Sequence, residues 1–218
     1  MNPAFDSAPE MTIVAGPPGG GKSTHFKVRS LGVDSFNSDD CAAQLNSGSY
    51  HNISAEIRAA AGQRLQQFIE NHIEARQSFA FENALRTTIL FQQTRRAKDL
   101  GFRVLLDYLA AGPVEEHIRR VKNRALLGGH SASERKLREI YENSMRNLVT
   151  AFDENRRGQI DLLQVFDNSR QFTFPRLVLS MYRGVPAHFA DPIPAWLETA
   201  LQGSDFKIEN LRAAIYGK

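Results

Sequence analysis

Apolar residues recur along this chain in two alternating rhythms: short unbroken runs, and longer stretches with helical spacing. "MTIVA" at 11–15 is a mostly apolar run, the pattern of a short buried strand. A helix is predicted next, near 22–30, and "VDSFNSDD" at 33–40 reads as a second strand ending in polar residues. Over 54–76, Ile57, Leu65, Phe68, Ile69 and Ile73 fall at roughly helical spacing. "SFAFE" at 78–82 predicts a third strand, followed by a helix over about 87–100, and "FRVLLDYL" at 102–109 predicts a fourth strand after Gly101. A helix near 113–126 opens with Pro113, a residue suited to a first helical turn. Another, over about 132–155, follows the break "GGHSAS", and "DLLQVFDNS" at 161–169 supplies a fifth strand. Residues 171–182 predict an added hairpin arm, and the chain from "PAWLETALQ" onwards predicts one or two short amphipathic helices.

Strands that alternate with helices predict an α/β fold with a parallel sheet and helices on both faces. No internal repeat or low-complexity linker interrupts the pattern. The expected organisation is a flexible tail at 1–10, a main domain at 11–170 and a C-terminal extension at 171–218 packed on the same domain.

Composition narrows the function classes. An apolar content of 42% with 23% charged residues suits a folded globular chain and excludes a disordered one. No stretch approaches the roughly 20 consecutive apolar residues of a membrane helix. The start, "MNPAFDSAPE", has neither the basic nor the apolar region of a secretory signal. The single cysteine, Cys41, rules out an intramolecular disulfide and suits the reducing cytoplasm, the expected address. A net charge of +3 is compatible with nucleic acid or with a phosphate pocket. The densest basic segment, "HIRRVKNRALLGGHSASERKLR" at 117–138, has no interleaved aromatics for base stacking, which favours a local phosphate site over a nucleic-acid track.

The phosphate site has a clear candidate. Gly16-Pro17-Pro18-Gly19-Gly20-Gly21-Lys22-Ser23 satisfies G-x-x-x-x-G-K-[ST], with Thr24 behind it, a predicted strand before it and a helix after it. Bare glycines let successive backbone N–H groups converge on phosphate oxygens at a helix N-terminus that already favours anions. Lys22 can reach the β- and γ-phosphates, and the Ser23 hydroxyl can ligate Mg²⁺. The motif predicts a P-loop NTPase-type sheet that binds a nucleoside triphosphate.

Three carboxylates at predicted strand ends compete for the chemistry, because ligands of open α/β sheets sit beyond the carboxyl ends of the strands. Asp39 follows the second strand and is the choice for the base that deprotonates an acceptor hydroxyl. Its structural alternative is a helix N-cap, a role Ser38 or Asp40 could share. Glu82 ends the third strand and could hold substrate or a Mg²⁺-bound water. Asp107, in "VLLDYL", imitates a Walker B aspartate, and the residues around it leave that role open. The segment 117–138 reads as a helical lid that delivers positive charge to the moving phosphoryl group. Helical spacing spreads Arg119, Arg120, Arg124, Arg135 and Arg138 around the axis, so most form a solvated face. Arg124 is singled out by the nearby glycine break.

The ordered set "GPPGGGKST", "FNSDD", "FAFENAL", "AKDLGFRVLL", "RVKNRALLGGH" and "VFDNS" resembles the zeta-toxin family of P-loop kinases, particularly its bacterial chromosomal branch, over about residues 11 to 170. The resemblance implies ATP and Mg²⁺ as cofactors and phosphoryl transfer to a sugar hydroxyl of a UDP-activated amino sugar or similar metabolite. It implies Asp39 as catalytic base, Lys22 and Ser23 as phosphate and metal contacts, and Glu82 as the family's strand-end glutamate. Arg124 and His130 fall where the family carries phosphate-facing lid residues, and Asn168 and Ser169 lie in the loop that passes near adenine in related kinases. It also implies a possible antitoxin protein as partner. "ENAL" stands where the family usually has glutamate-threonine-threonine, and "SASE" follows "GGH" where the branch commonly has valine-proline-glutamate. Two other outcomes are open: a nucleotide-gated binding module with little acceptor phosphorylation, and a nucleic-acid end kinase.

Overall fold

The computed structural model describes residues 8–126, 132–170 and 173–217. Seven strands form one sheet: β1 (Glu10–Ala15), β2 (Asp34–Phe36), β3 (Phe79–Asn83), β4 (Arg103–Ala110), β5 (Leu162–Asp167), β6 (Arg176–Tyr182) and β7 (Val185–Phe189). Among the described residues the helices are α1 (Lys22–His25), α2 (Ser38–Leu45), α3 (Ala55–Ala75), α4 (Ile89–Asp99), α5 (Val114–Leu126), α6 (Glu134–Arg156), α7 (Ala195–Leu201) and α8 (Ile208–Tyr216). The strand order is β2-β3-β1-β4-β5-β6-β7. The first five strands pair in parallel, and β6 and β7 add antiparallel. This is the α/β fold with a mostly parallel sheet that the sequence predicts.

The unbroken apolar runs become the four central strands because both their faces are covered. Met11, Ile13, Phe79, Phe81, Val104 and Leu106 are fully buried. They pack with Leu65, Ile69 and Ile73 of α3, and with Leu148 and Phe152 of α6, in the main core. Each such side chain contributes about 1.5–3 kcal/mol on burial. Local signals set the helix ends: Ser54 caps α3 by accepting from the Ile57 N–H, Ser133 caps α6 by accepting from Lys136, and Arg76 closes α3 in the left-handed conformation. The core reaches α7 and α8 through Trp196, Leu197, Leu201 and Leu211.

The two faces are covered unequally. The main core draws on α3, α4, α6, α7 and α8. On the opposite face Val14, Ala80, Leu109 and Phe166 lie under Phe26, Val28 and Val33, from the segment between α1 and β2. That packing shortens the first helix from the expected 22–30 to four residues. Phe26 leaves helical geometry at φ −122°, and its ring lies 4.7 Å from that of Phe166. A 3-10 turn at Val28–Ser30 follows.

Two further differences have local causes. The expected strand at 33–40 stops at Phe36, because the Asn37 side chain accepts from the Asp39 and Asp40 N–H groups and starts α2. The arm predicted at 171–182 holds one strand, β6, and its hairpin partner β7 lies beyond it, joined at Arg183 (φ 46°) and Gly184 (φ 82°), the two left-handed positions of a tight hairpin turn.

Candidate active site

The glycine loop leaves the end of β1 and enters α1 at Lys22, beyond the carboxyl ends of the parallel strands. Its glycines are dictated by close neighbours. A Cβ on Gly16 would stand 2.1 Å from the Leu109 carbonyl oxygen, and one on Gly20 would stand 2.6 Å from the same atom. At Gly21 the clash would be with Asn168 Nδ2, at 2.2 Å. The loop is therefore seated against the end of β4 and the turn after β5, with no room for side chains. The Lys22 ammonium curls into it, donating to Gly16 O at 2.7 Å and Pro17 O at 3.2 Å.

Side chains from outside the motif hold this seat. Asn168 is buried and donates to Gly20 O at 3.0 Å, while its own backbone N–H donates to Ala110 O. Its carbonyl accepts from Arg120 at 2.9 Å. Ser169 is exposed, and its N–H and hydroxyl both donate to Asp167 Oδ1. His117, which the sequence did not single out, touches the loop at Pro18. A lone histidine on an amphipathic helix carries no spacing signal that would have found it.

Beside the loop opens a cleft of about 720 Å³ whose lining includes Ser23, Asn37, Asp39, Glu82 and Arg124. Four elements bring these groups together: α1 carries Ser23, β3 ends near Glu82, α2 is capped by Asn37 and carries Asp39 in its first turn, and α5 carries Arg124. The Ser23 hydroxyl donates to Glu82 Oε2 at 3.0 Å. Burial raises the Glu82 pKa above the ordinary glutamate value and the Asp39 charge adds to this, while Lys22 and hydrogen bonds from Ser23 and Asn37 oppose it. Burial also pulls the Lys22 ammonium down; Glu82 and Asp39 resist this and Arg124 reinforces it. Lys22, Glu82, Asp39 and Arg124 thus share one electrostatic neighbourhood. Asn37 supplies the helix cap, so the exposed Asp39 carboxylate is not spent on capping. The neighbouring Asp40 accepts from Tyr50 at 2.8 Å. Lys27, Arg29, Arg64 and Tyr50 also line the cleft; scattered over three segments, they form no contiguous motif.

Of the arginines in the basic segment, Arg124 lines the cleft. Arg119 pairs with Glu116, and Arg138 pairs with Glu115 and Glu134. Arg120 is shared between Glu116 and the Asn168 carbonyl. His130 lies outside the described residues. Thr24 is exposed, and its N–H donates to Gly21 O. Asp107 stands two strands from Glu82 in the register Glu82–Val14–Asp107 and does not line the cleft. Its carboxyl is pushed up to about 6, chiefly by burial and then by Glu10.

The donors suit ATP and Mg²⁺. The cradle admits no side chain, and Ser23 and Glu82 offer hard oxygen ligands of the kind Mg²⁺ takes in small number beside phosphates. Among the described residues, no three His, Cys, Asp or Glu side chains cluster as an all-protein metal cage. A second hollow, of about 180 Å³, is lined by Asp167, Arg170, Thr173, Phe174 and Arg176. The Phe174 ring there lies 5.8 Å from His25 and 5.7 Å from Phe26. Among the described residues, no helix is long and apolar enough to cross a membrane.

Comparison with known proteins adds relatives to this geometry. The family model for Zeta toxin matches residues 2–175. An uncharacterised protein of Haemophilus influenzae is 31% identical over 120 residues, 53% of this chain and 81% of that protein. A structure from the PezAT chromosomal toxin–antitoxin system of Streptococcus pneumoniae superposes with a TM-score of 0.57 at 16% identity, covering 80% of this chain and 72% of that one. The complex of AvrRxo1-ORF1 and ORF2 with ATP superposes with a TM-score of 0.65 at 15% identity, over 82% of this chain and 60% of that one. At such identities the likeness to the two structures establishes the shared fold.

Proposed function

The chain belongs to the Zeta toxin family, and from that premise we propose that it is an ATP-dependent kinase acting on a hydroxyl of a small-molecule acceptor. The acceptor we assign is a UDP-activated amino sugar or a metabolite of similar build. One observation carries the reading: the cleft beside the glycine loop is lined together by Asp39, Ser23, Glu82 and Arg124.

In this reading the loop N–H groups and Lys22 hold the β- and γ-phosphates. Ser23 and Glu82 would hold Mg²⁺, which neutralises phosphate charge when bound. Asp39 accepts the proton of the acceptor hydroxyl as its oxygen attacks the γ-phosphorus. The bond from that phosphorus to the β,γ-bridging oxygen breaks, and ADP leaves. Arg124 stabilises the charge on the equatorial oxygens. The adenine lies towards Asn168 and Ser169, beside the hollow edged by Phe174. Lys27, Arg29 and Arg64 also line the cleft, which suits a substrate that already carries phosphate. His130 is assigned to the substrate side from the family resemblance. The protein is placed in the cytoplasm, where ATP is available.

The test is turnover of ATP to ADP with candidate acceptors, read together with mass gain of one phosphate on the acceptor. Asp39→Asn is expected to lower acceptor-stimulated turnover by about 10²-fold or more while leaving ATP binding intact. Stimulated turnover within a few-fold of wild type would remove Asp39 from the base role. Tight ATP binding with no acceptor-dependent product across a metabolite screen would instead favour a nucleotide-gated binding module. A partner protein that silences the enzyme is also part of the proposal, since one structural relative comes from a toxin–antitoxin system and the other is a complex of two proteins.

A further inference from the structure

His117 sits in the first turns of α5, almost fully buried, where three parts of the molecule meet. Its Nε2 lies 2.9 Å from the backbone nitrogen of Ala111, just past the end of β4. A backbone N–H can only donate, so Nε2 accepts and the ring proton must sit on Nδ1. Nδ1 in turn lies 2.8 Å from the Pro18 carbonyl, inside the phosphate-binding loop, and donates to it. The ring is boxed from α6 by Tyr141, with centroids 5.1 Å apart at 63°, and the Tyr141 hydroxyl is itself tied to Gly112 O at 3.0 Å. The backbone makes the same junction, since a Cβ on Gly19 would stand 2.6 Å from the His117 carbonyl oxygen.

The same helix carries the basic groups of the site. His117, Arg120 and Arg124 follow at i, i+3 and i+7, a spacing that puts them on one face of α5. From that face His117 holds the loop, Arg120 holds the Asn168 carbonyl, and Arg124 lines the cleft. We propose that His117 is a positioning residue: its neutral imidazole bolts α5 to the phosphate-binding loop, so that the seat of the phosphates and the Arg124 guanidinium are held as one rigid unit. The inference rests on the reading that the loop holds ATP phosphates. It concerns a residue outside the loop motif and outside the lining of the cleft.

Neutral imidazole suits the post because it donates from one edge and accepts on another. Burial holds the ring well below the ordinary histidine value, at about 4, with Lys22 and Arg120 pushing the same way. The Pro18 carbonyl and Glu116 oppose them. An imidazolium would turn a second donor towards the Ala111 N–H and leave that buried group without an acceptor.

Two isosteric variants separate the two bonds. In His117→Asn the amide NH₂ stands near the Nδ1 position and can still donate to Pro18. In His117→Gln the amide oxygen reaches the Nε2 position and can still accept from Ala111. The experiment measures ATP affinity by titration calorimetry and thermal stability for the wild type and both variants, with the ring tautomer of the wild type read by ¹⁵N-detected NMR at pH 7. The expected results are an Nδ1–H neutral ring, lowered stability in both variants, ATP affinity within about 3-fold of wild type for His117→Asn, and a loss of roughly 10-fold for His117→Gln. A purely structural histidine would lower stability in both and leave ATP affinity equal in all three, which overturns the proposal. An Nε2–H tautomer or a charged ring at pH 7 overturns it without any variant, even if both substitutions fail to fold. A wild type that binds no ATP overturns the nucleotide reading as well, whereas tight binding with equal affinities overturns the positioning role alone.

Discussion

The Ser23 hydroxyl and the Glu82 carboxylate are joined across 3.0 Å, linking the first turn after the phosphate-binding loop to the end of β3, 59 residues later in the chain. Both residues line the cleft, together with Asp39 and Arg124. In the proposed mechanism this pair would hold a divalent ion beside the phosphates. Replacing Glu82 by Gln keeps an acceptor for Ser23 and removes one negative charge. The Mg²⁺ concentration needed for half-maximal turnover is expected to rise by about 10-fold, measured by Mg²⁺ titration of ADP release. Chelation by EDTA should abolish turnover while leaving the melting temperature unchanged, because no described cluster of ligands builds the fold around a metal.

Arg124 and Arg138 offer a contrast within one basic segment. Arg124 lines the cleft, whereas Arg138 is occupied by Glu115 and Glu134 at the surface. Arg124→Ala is expected to lower kcat by about 10²-fold with ATP affinity changed by less than about 3-fold, since charge on the moving phosphoryl is felt mainly in the transition state. Arg138→Ala should leave kcat unchanged and barely move stability, because exposed ion pairs are screened by solvent and contribute little. Steady-state kinetics and chemical denaturation of the two variants check both statements.

Gly16 tests the cradle. Its φ of 131° and the 2.1 Å approach of a Cβ to the Leu109 carbonyl leave no tolerated side chain. Gly16→Ala is expected to cost about 2 kcal/mol or more and to abolish ATP binding by displacing the loop from β4. Gly62, in the middle of α3, has open space around its Cβ position. Gly62→Ala should be neutral or stabilise by up to about 1 kcal/mol. Urea denaturation of the pair gives the comparison.

Asp107 gives a pH signature. Its carboxyl is raised to about 6 in the folded protein, against about 3.9 when unfolded. A raised pKa means the folded state holds its proton more tightly, so the associated stability is complete below pH 4 and is lost as the pH climbs through 6. Asn at this position does not titrate. Asp107→Asn is therefore expected to be more stable than wild type above about pH 7, by roughly 1–2 kcal/mol once solvent screening is counted, with the gain vanishing near pH 4. Melting temperatures at the two ends of that range decide the matter.

The alternation of apolar runs with helical spacing, the Ser54 start of α3 and the glycine-lysine-serine motif are local patterns, and they are legible because burial on two faces, helix capping and phosphate cradling each need particular residue types at fixed short spacings. The start of α2 was just as local, but its Asn37 cap was hidden inside a run that also reads as strand. Folding settled what depends on distant contacts. Phe26 ends α1 because Phe166, 140 positions away in the chain, offers its ring a better neighbour than another helical turn. Arg124 meets the cleft while Arg119 meets Glu116, a choice that depends on how α5 is rotated and not on composition. Asn168 and His117 come to brace one loop from opposite parts of the chain. A side chain's partners across the sheet are set by topology and packing, and neither leaves a spacing in the chain for a reader to find.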